Sequence, residues 1–307
     1  SPIGFGMKIA FVYDVIYPFI KGGVEKRVWE LAVRLSANGH EVHLFGMKFW
    51  DGEDILIREG VFLHGVCPAH KLYYGGRRTM WQALIFSTRL TLPLLKEKFD
   101  IIDCQQFPYF SCFSAKLLSL VKKIPLVITW HEIWGEYWYE YLGWNGFGGK
   151  TIERLVARLT PENIAVSKTT AKNLSNLGIY PEIKIIPNGV DLKNIKSISP
   201  SSEPSDIIFA GRLIREKHVD LLIQAFNLHI VEHPNHILMI IGDGPERNSV
   251  SNLINKLHLE DRVRFSGFQE CHDDILAHLK SSKICVLPST REGFGITALE
   301  ALACGLP

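Results

Sequence analysis

Glu292 and Glu300 stand eight residues apart in Glu292-Gly293-Phe294-Gly295-Ile296-Thr297-Ala298-Leu299-Glu300. At about 1.5 Å per residue along a helix, that spacing sets the two carboxylates roughly 12 Å apart, close to the length of a sugar, a diphosphate and a ribose in a row. One carboxylate could hold sugar hydroxyls and the other a ribose diol. Between them, Gly293, Phe294, Gly295 and Ile296 would expose a helix N-terminus, whose amides and dipole favour an anion. Glu300 lies among Ala298, Leu299, Ala301 and Leu302, and an acid in such apolar company calls for a partner.

Other candidates combine glycine with charge. Gly211-Arg212-Leu213 is followed by Lys217, and an arginine fork beside a mobile lysine suits a diphosphate. Gly242-Asp243-Gly244-Pro245-Glu246 reads as a tight turn with proline preset for a first helical turn. Gly22 and Gly23 open a helical pattern and would let backbone N–H groups approach an anion. His131 adds an imidazole just after an apolar run. Taken singly, the glycine pair equally fits a plain β-α loop, the cations a solvated helix start, and His131 a satisfied turn residue.

What must position these residues is a series of short β-branched runs alternating with helical-period segments, the pattern of parallel β-α units with helices on both sheet faces. Strands are expected at 8–13, 41–45, 101–104, 126–129, 163–166 and 184–186, with helices near 23–38, 80–97, 109–122, 150–160 and 168–177. Gly39 and Gly178 read as helix stops. Pro187-Asn188-Gly189 and the Ser/Pro-rich stretch up to Pro204 mark a linker over 187–204. The alternation then restarts, with strands at 207–210, 237–241, 262–265 and 284–287 and helices near 218–232, 246–257, 272–280 and 295–304. An N-terminal domain over 7–186 and a C-terminal domain over 205–307 are expected, with residues 1–6 read as a cloning remnant ahead of Met7. The second domain reads as truncated at Gly305-Leu306-Pro307, where a helix stop and a proline would lead into another strand. The candidate residues follow strands, at the carboxyl edge where open α/β sheets bind ligands.

Composition excludes several classes. At 307 residues, 47% hydrophobic and 21% charged, the chain has ample core for two domains. Its longest apolar stretches are broken by Arg89 and by Lys122-Lys123, short of the roughly 18 apolar residues of a membrane span. Six cysteines form no C-x-x-C pair, which argues against a disulfide framework or zinc site and for reduced core thiols. Residues 1–190 hold 22 Lys/Arg against 17 Asp/Glu, and 191–307 hold 12 against 15. That basic excess is too diffuse for a nucleic-acid binder but would favour an anionic membrane surface.

Together the motifs resemble the family 4 (group 1) glycosyltransferases of the GT-B fold. The likeness runs from Met7 to Pro307 and rests on GGVEKRVWELA at 22–32, PNGVD at 187–191, GRLIREK at 211–217, GDGPE at 242–246 and EGFGITALEALACGLP at 292–307. It implies an α/β chain of two Rossmann-like doubly wound domains facing a cleft. It further implies a retaining transfer of a hexosyl unit from a nucleoside-diphosphate sugar to a hydroxyl of a glycan or lipid-linked acceptor. By this resemblance Gly22 and Gly23 meet the donor phosphate or the acceptor, and His131 contacts the transferred sugar. Arg212 and Lys217 neutralise the leaving pyrophosphate, beside the donor-binding turns at Gly211 and Gly242. Glu292 lies near the sugar, Glu300 binds the ribose, and Gly293, Phe294, Gly295 and Ile296 cradle the distal phosphate. His218 stands where the family commonly has glycine. No cofactor or metal is expected, because Arg212, Lys217 and a helix N-terminus can stabilise a departing diphosphate. A nucleotide-sugar epimerase or hydrolase on the same fold and a non-catalytic nucleotide-sugar-binding protein are the alternatives.

The acceptor side centres on Trp130, Trp134, Trp138 and Trp144, interleaved with Tyr137, Tyr139 and Tyr141 and followed by Gly143, Gly146, Gly148 and Gly149. Packing, sugar stacking and contact with lipid headgroups are three open readings of this segment. The basic pairs Arg77-Arg78 and Lys122-Lys123 suit the last. Base recognition is expected from backbone near Gly267-Phe268, and the expected setting is the cytoplasm, with peripheral contact at an anionic inner membrane face.

Overall fold

The computed structural model describes residues 6–69, 73–74, 77–178 and 183–307. The remnant expected at 1–6 lies outside these except for Gly6, as do the side chains of Arg77 and Arg78. The chain divides into two compact units, Ser1–Asn188 and Gly189–Pro307.

The first unit runs β1 (Lys8–Val12), α1 (Gly23–Ala37), β2 (Glu41–Lys48), β3 (Ile55–Arg58), β4 (Val61–Pro68), β5 (Tyr73–Tyr74), β6 (Arg77–Arg78), α2 (Met80–Lys96), β7 (Ile101–Gln105), α3 (Phe110–Lys122), β8 (Leu126–Trp130), α4 (Tyr137–Leu142), α5 (Gly146–Ala157), β9 (Asn163–Ala165), α6 (Lys168–Ser175) and β10 (Lys184–Ile185). Eight strands form one sheet in the order β10-β9-β8-β7-β1-β2-β4-β3. All its pairings are parallel except β3 with β4. The period of two along β1 explains the layering: Ile9 and Phe11 pack with Val28, Trp29 and Ala32 of α1, whereas Ala10 and Val12 pack with Phe86 and Leu90 of α2 and Cys112 and Ala115 of α3.

Three features depart from the sequence expectations. The antiparallel edge made by β3, and β4 beside it, were not anticipated. The glycines after the tryptophans belong to a helix rather than a loop: α5 begins at Gly146, not near 150. A Cβ on Gly149 would lie 2.2 Å from the Trp138 ring and one on Gly146 2.6 Å from the Trp138 backbone, so glycine is what lets α5 close on α4. The Trp134 and Trp138 rings pack 4.6 Å apart at a tilt of 44°, and the fully buried Glu153 anchors the segment, accepting from the Trp134 and Gly135 amides and from the Tyr109 hydroxyl. Finally, Cys271 is exposed rather than a core thiol.

The second unit runs α7 (Leu192–Ser197), β11 (Ser205–Ala210), α8 (Val219–Glu232), β12 (Leu238–Ile241), α9 (Arg247–Lys256), β13 (Val263–Gly267), α10 (His272–Lys280), β14 (Ser282–Cys285) and α11 (Ile296–Ala303). Part of the segment expected as linker is therefore helical, with the Asp191 carboxylate capping α7. The four strands are parallel in the order β13-β12-β11-β14. Phe209, Leu238 and Ile240 face α8 and α9, while Ile208, Ala210, Met239 and Ile241 face Leu276 and Leu279 of α10 and Ala301 of α11.

Candidate active site

In the second unit the chain leaves β11 toward β12 on one side and returns through β14 on the other. The crevice of such a sheet lies at that reversal, outside the carboxyl ends of the two strands. Sequence-distant loops are thereby brought together. The Lys217 ammonium pairs with the Glu292 carboxylate, the Thr290 amide donates to the Glu216 carbonyl at 3.1 Å, and the His218 Nε2 and Thr290 Oγ1 lie 3.0 Å apart. Arg212 is exposed on the same loop.

Gly295 caps α11 with φ +80° and ψ 59°, a left-handed conformation that glycine adopts without Cβ strain. Having no side chain, it leaves the approach to the first helical amides clear. Five residues on, Glu300 is only 3% exposed, and its Oε1 lies 2.8 Å from Nε2 of His272, the first residue of α10. The partner that an acid in this company requires is thus His272, which sequence reasoning missed because 28 residues separate the pair.

The turns after β11 and β12 are zipped together through backbone. The Leu213 amide donates to the Asp243 carbonyl at 2.9 Å and the Glu246 amide to the Leu213 carbonyl at 3.1 Å. A Cβ on Gly242 would lie 1.9 Å from the Gly211 carbonyl oxygen, so close backbone approach is itself sufficient reason for that glycine. Asp243 behaves as the expected turn residue, accepting from the Gly244 amide and pairing with Arg247.

His218 sits at φ 48°, ψ 45°, the region where glycine is commonest. This accounts physically for the glycine expected there. Left-handed backbone costs a residue with a Cβ about 1 kcal/mol, so His218→Gly should unfold at higher denaturant concentration than His218→Ala, by about 1 kcal/mol. Equal midpoints for the two variants would count against the strain.

In the first unit the candidate residues follow β1 and β8, the two strands that flank β7. Gly22 caps α1 with extended backbone, and a Cβ there would lie 2.4 Å from Glu25 Oε2. The helix start expected to meet a phosphate is therefore faced by the chain's own carboxylate, the charge that its dipole favours. His131 follows β8 and is buried; its Nε2 lies 2.8 Å from Gln105 Oε1, and its amide donates to Gln106 Oε1. Burial, helped by the Arg27 charge, lowers its pKa to about 3, so the imidazole is neutral near pH 7. Beside it, the half-buried Asp103 accepts from Thr129 Oγ1 at 2.8 Å and Gln105 Nε2 at 3.1 Å, and its removal from water raises its pKa to about 6 against the pull of these bonds and of Arg27.

Arg27 was also missed. Its guanidinium donates to the Pro187 carbonyl at 3.0 Å and to Asn188 Oδ1 at 2.8 Å, joining two of the quoted motifs, GGVEKRVWELA and PNGVD. The signal was present in each motif but not in their separation of 160 residues.

Two Rossmann-like units whose charged and glycine-bearing loops gather at carboxyl edges define a GT-B protein. The chain belongs to glycosyltransferase family 4: the family described as Glycosyltransferase Family 4 matches residues 21–194, and Glycosyl transferases group 1 matches residues 191–307. An uncharacterized glycosyltransferase of Methanocaldococcus jannaschii, MJ1607, is 31% identical over 98% of this chain and 79% of its own length. The N-acetyl-alpha-D-glucosaminyl L-malate synthase of Bacillus anthracis is 37% identical over 95% of this chain and 76% of its own. A phosphatidylinositol N-acetylglucosaminyltransferase subunit of Arabidopsis thaliana is 26% identical over 98% of this chain, which spans 66% of it. Among solved structures, Anabaena Alr3699/HepE in complex with UDP-glucose shares the fold with a TM-score of 0.72 and 20% identity, covering 98% of this chain and 79% of that one.

Proposed function

We propose that this glycosyltransferase moves a hexosyl unit from a nucleoside-diphosphate sugar to a hydroxyl of a glycan or lipid-linked acceptor, with retention and without a metal. The observation that carries the reading is the pairing of Lys217 with Glu292, which brings the loop after β11, where Arg212 also lies, to the loop that leads into α11 at the strand-order reversal of the second unit. There the amides of Gly293 to Ile296 receive the distal phosphate, Arg212 and Lys217 carry its charge, and Glu300, held by His272, receives the ribose diol. An incoming diphosphate takes Lys217 from Glu292, which frees that carboxylate for sugar hydroxyls. Gly211 and Gly242 keep the bounding turns close, while Gly22 and Gly23 serve the acceptor side. His131, neutral, offers a ring nitrogen to a sugar hydroxyl rather than acting as an acid. In a front-face transfer the bond from the anomeric carbon to the diphosphate breaks as the acceptor oxygen bonds on the same face, and the acceptor proton leaves with the phosphate. The names of two relatives, both giving N-acetylglucosaminyl, support a hexosyl donor.

A lipid-linked acceptor at an anionic membrane, reached from the cytoplasm, is favoured by one surface. Trp81, Leu84, Leu92 and Leu95 on α2 and Phe113, Leu117, Leu120 and Val121 on the adjacent α3 are all exposed, with Arg89, Lys96 and Lys123 beside them. Apolar stripes rimmed by cations match an interfacial contact. Among the described residues no helix is long and apolar enough to cross a membrane. Cosedimentation with vesicles containing phosphatidylglycerol is expected and should weaken in Trp81→Ser/Leu120→Ser; equal binding to neutral vesicles would refute the electrostatic part.

The reading is tested by titrating the chain with UDP, GDP and ADP, without metal and then with magnesium, and analysing products with and without acceptor. Selective metal-independent binding and an acceptor-dependent α-linked product are expected from an α-linked donor. Donor conversion without acceptor would indicate an epimerase or hydrolase, and binding without turnover a non-catalytic protein. Glu300→Ala should weaken nucleoside diphosphate binding by about 1.5–3 kcal/mol, the range for a charged hydrogen bond. Unchanged affinity would remove the ribose assignment.

A further inference from the structure

Three imidazoles meet at the edge of the second unit opposite to the candidate active site. His229 lies in the last turn of α8, His233 ends that helix, and His236 follows Pro234-Asn235 just before β12. Their ring centres are 4.5 Å (His229–His233), 4.8 Å (His233–His236) and 5.1 Å (His229–His236) apart. In a tetrahedral site with metal–nitrogen bonds of about 2.0–2.1 Å, imidazole centres sit roughly 5 Å from one another. The geometry points to a binding site for a divalent transition-metal ion held by His229, His233 and His236.

Several observations converge on that reading. His229 and His233 are four residues apart, one above the other on one face of the helix. His229 Nε2 and His236 Nδ1 already point at each other at 2.9 Å; an ion between them needs about 3.3 Å, a small opening from a hydrogen-bonded pair. His233 is exposed and stacked parallel on His236, so rotation about its side-chain bonds brings a nitrogen to the same point. The C-terminus of α8 carries partial negative charge, which favours a cation. The facing charged groups are Glu232, on the helix itself, and Asp206 and Lys283, from β11 and β14. Asp206 Oδ1 lies 3.9 Å from His236 Nε2 and 2.8 Å from Lys283 Nζ. At that distance it makes no hydrogen bond to His236 and adds only its negative charge to the outer side of the cluster, while the Ile237 amide and Lys283 hold it in place.

The group among the described residues whose ligand atoms all lie within 4.8 Å of one another, His43, His64 and Glu97, is built differently. His43 uses one ring nitrogen on His64 and the other on Glu41, and the Lys8 ammonium bridges Glu41 and Glu97. A cation already serves those carboxylates.

At the amino edge of the sheet, an ion on α8 pins the helix end to the start of β12, away from the donor loops. Its role is therefore to brace the unit or to bridge to a further ligand at its open position. The test is calorimetric titration of chelator-treated protein with Zn2+ alone and with Ni2+ alone, together with the visible spectrum of the Co2+ form. One equivalent should bind, with the intense absorption of a low-coordinate Co2+ site, and affinity should fall as pH drops through the imidazole range. His233→Ala, at an exposed position, should lose at least ten-fold in affinity and His229→Ala/His233→Ala/His236→Ala all specific binding, with nucleotide binding kept by both. Binding unaltered in the triple variant, or none in the parent chain, would overturn the assignment.

Discussion

Arg212→Ala is expected to cut turnover by about 100- to 1000-fold, the range for losing one preorganised charge-stabilising donor, while leaving donor affinity within about ten-fold. Arg212 is exposed on the loop after β11, where an ion pair with a ground-state diphosphate is screened by water and gains little. Its value rises as the bond to the sugar breaks and charge collects on the departing phosphate, and only such differential stabilisation accelerates chemistry. The Lys217 ammonium pairs with Glu292, and under the proposed function an incoming diphosphate takes it over. Arg212→Lys should recover part of the rate, since it restores charge without the planar fork. The check is single-turnover kinetics beside calorimetric donor affinity. A large loss of affinity with an unchanged rate constant would remove Arg212 from the leaving-group role.

The first unit should be acid-labile well above the carboxylate range. His131 titrates near 3 and His64 near 4, both lowered chiefly by burial, with Arg27 adding to the first and His43 to the second. A histidine held neutral in the fold binds its proton more readily when unfolded, so the unfolded chain carries more protons from pH 6.5 down to those values, and stability falls as pH falls through that window. At about 1.4 kcal/mol per pKa unit, the two withdraw several kcal/mol between them. Asp103 has the opposite sign: raised to about 6, it stabilises the fold below its unfolded pKa and loses that contribution as pH rises to 6, offsetting part of the effect. Denaturant midpoints measured from pH 7 to pH 4 should drop steeply, and His131→Gln, which keeps an amide to face Gln105, should flatten the drop. Parallel profiles for parent and variant would show that His131 is not the source.

Much of this was legible in the chain. The period-two strands and amphipathic helices gave both sheets, and β-α units place the strand-following residues proposed for the site along one edge of each. What escaped was whatever depends on pairing across distance. Nothing local announces that His272 meets Glu300, or that Arg27 reaches Pro187 and Asn188. The edge strand β3 is largely exposed, so it lacks the alternation that marks a buried strand. The start of α5 was lost because Gly146, Gly148 and Gly149 are poor helix formers, and the need for two of them lies in the preceding helix, whose Trp138 backbone crowds Gly146 and whose Trp138 ring packs on Gly149.

The zipped turns of the second unit bear on how variants of this enzyme should be interpreted and designed. A side chain at Gly242 would strike the Gly211 carbonyl at 1.9 Å, and one at Gly244 the Leu213 carbonyl at 2.3 Å. A mutational scan would find both positions intolerant whatever donor is supplied, and the dead variants would imitate lost nucleotide recognition. Thermal unfolding tells the cases apart, since a scaffold clash lowers the melting temperature of the ligand-free chain. Libraries aimed at a new donor sugar should leave these two glycines fixed and diversify exposed side chains of the neighbouring loops, such as that of Thr290, which meets the His218 ring.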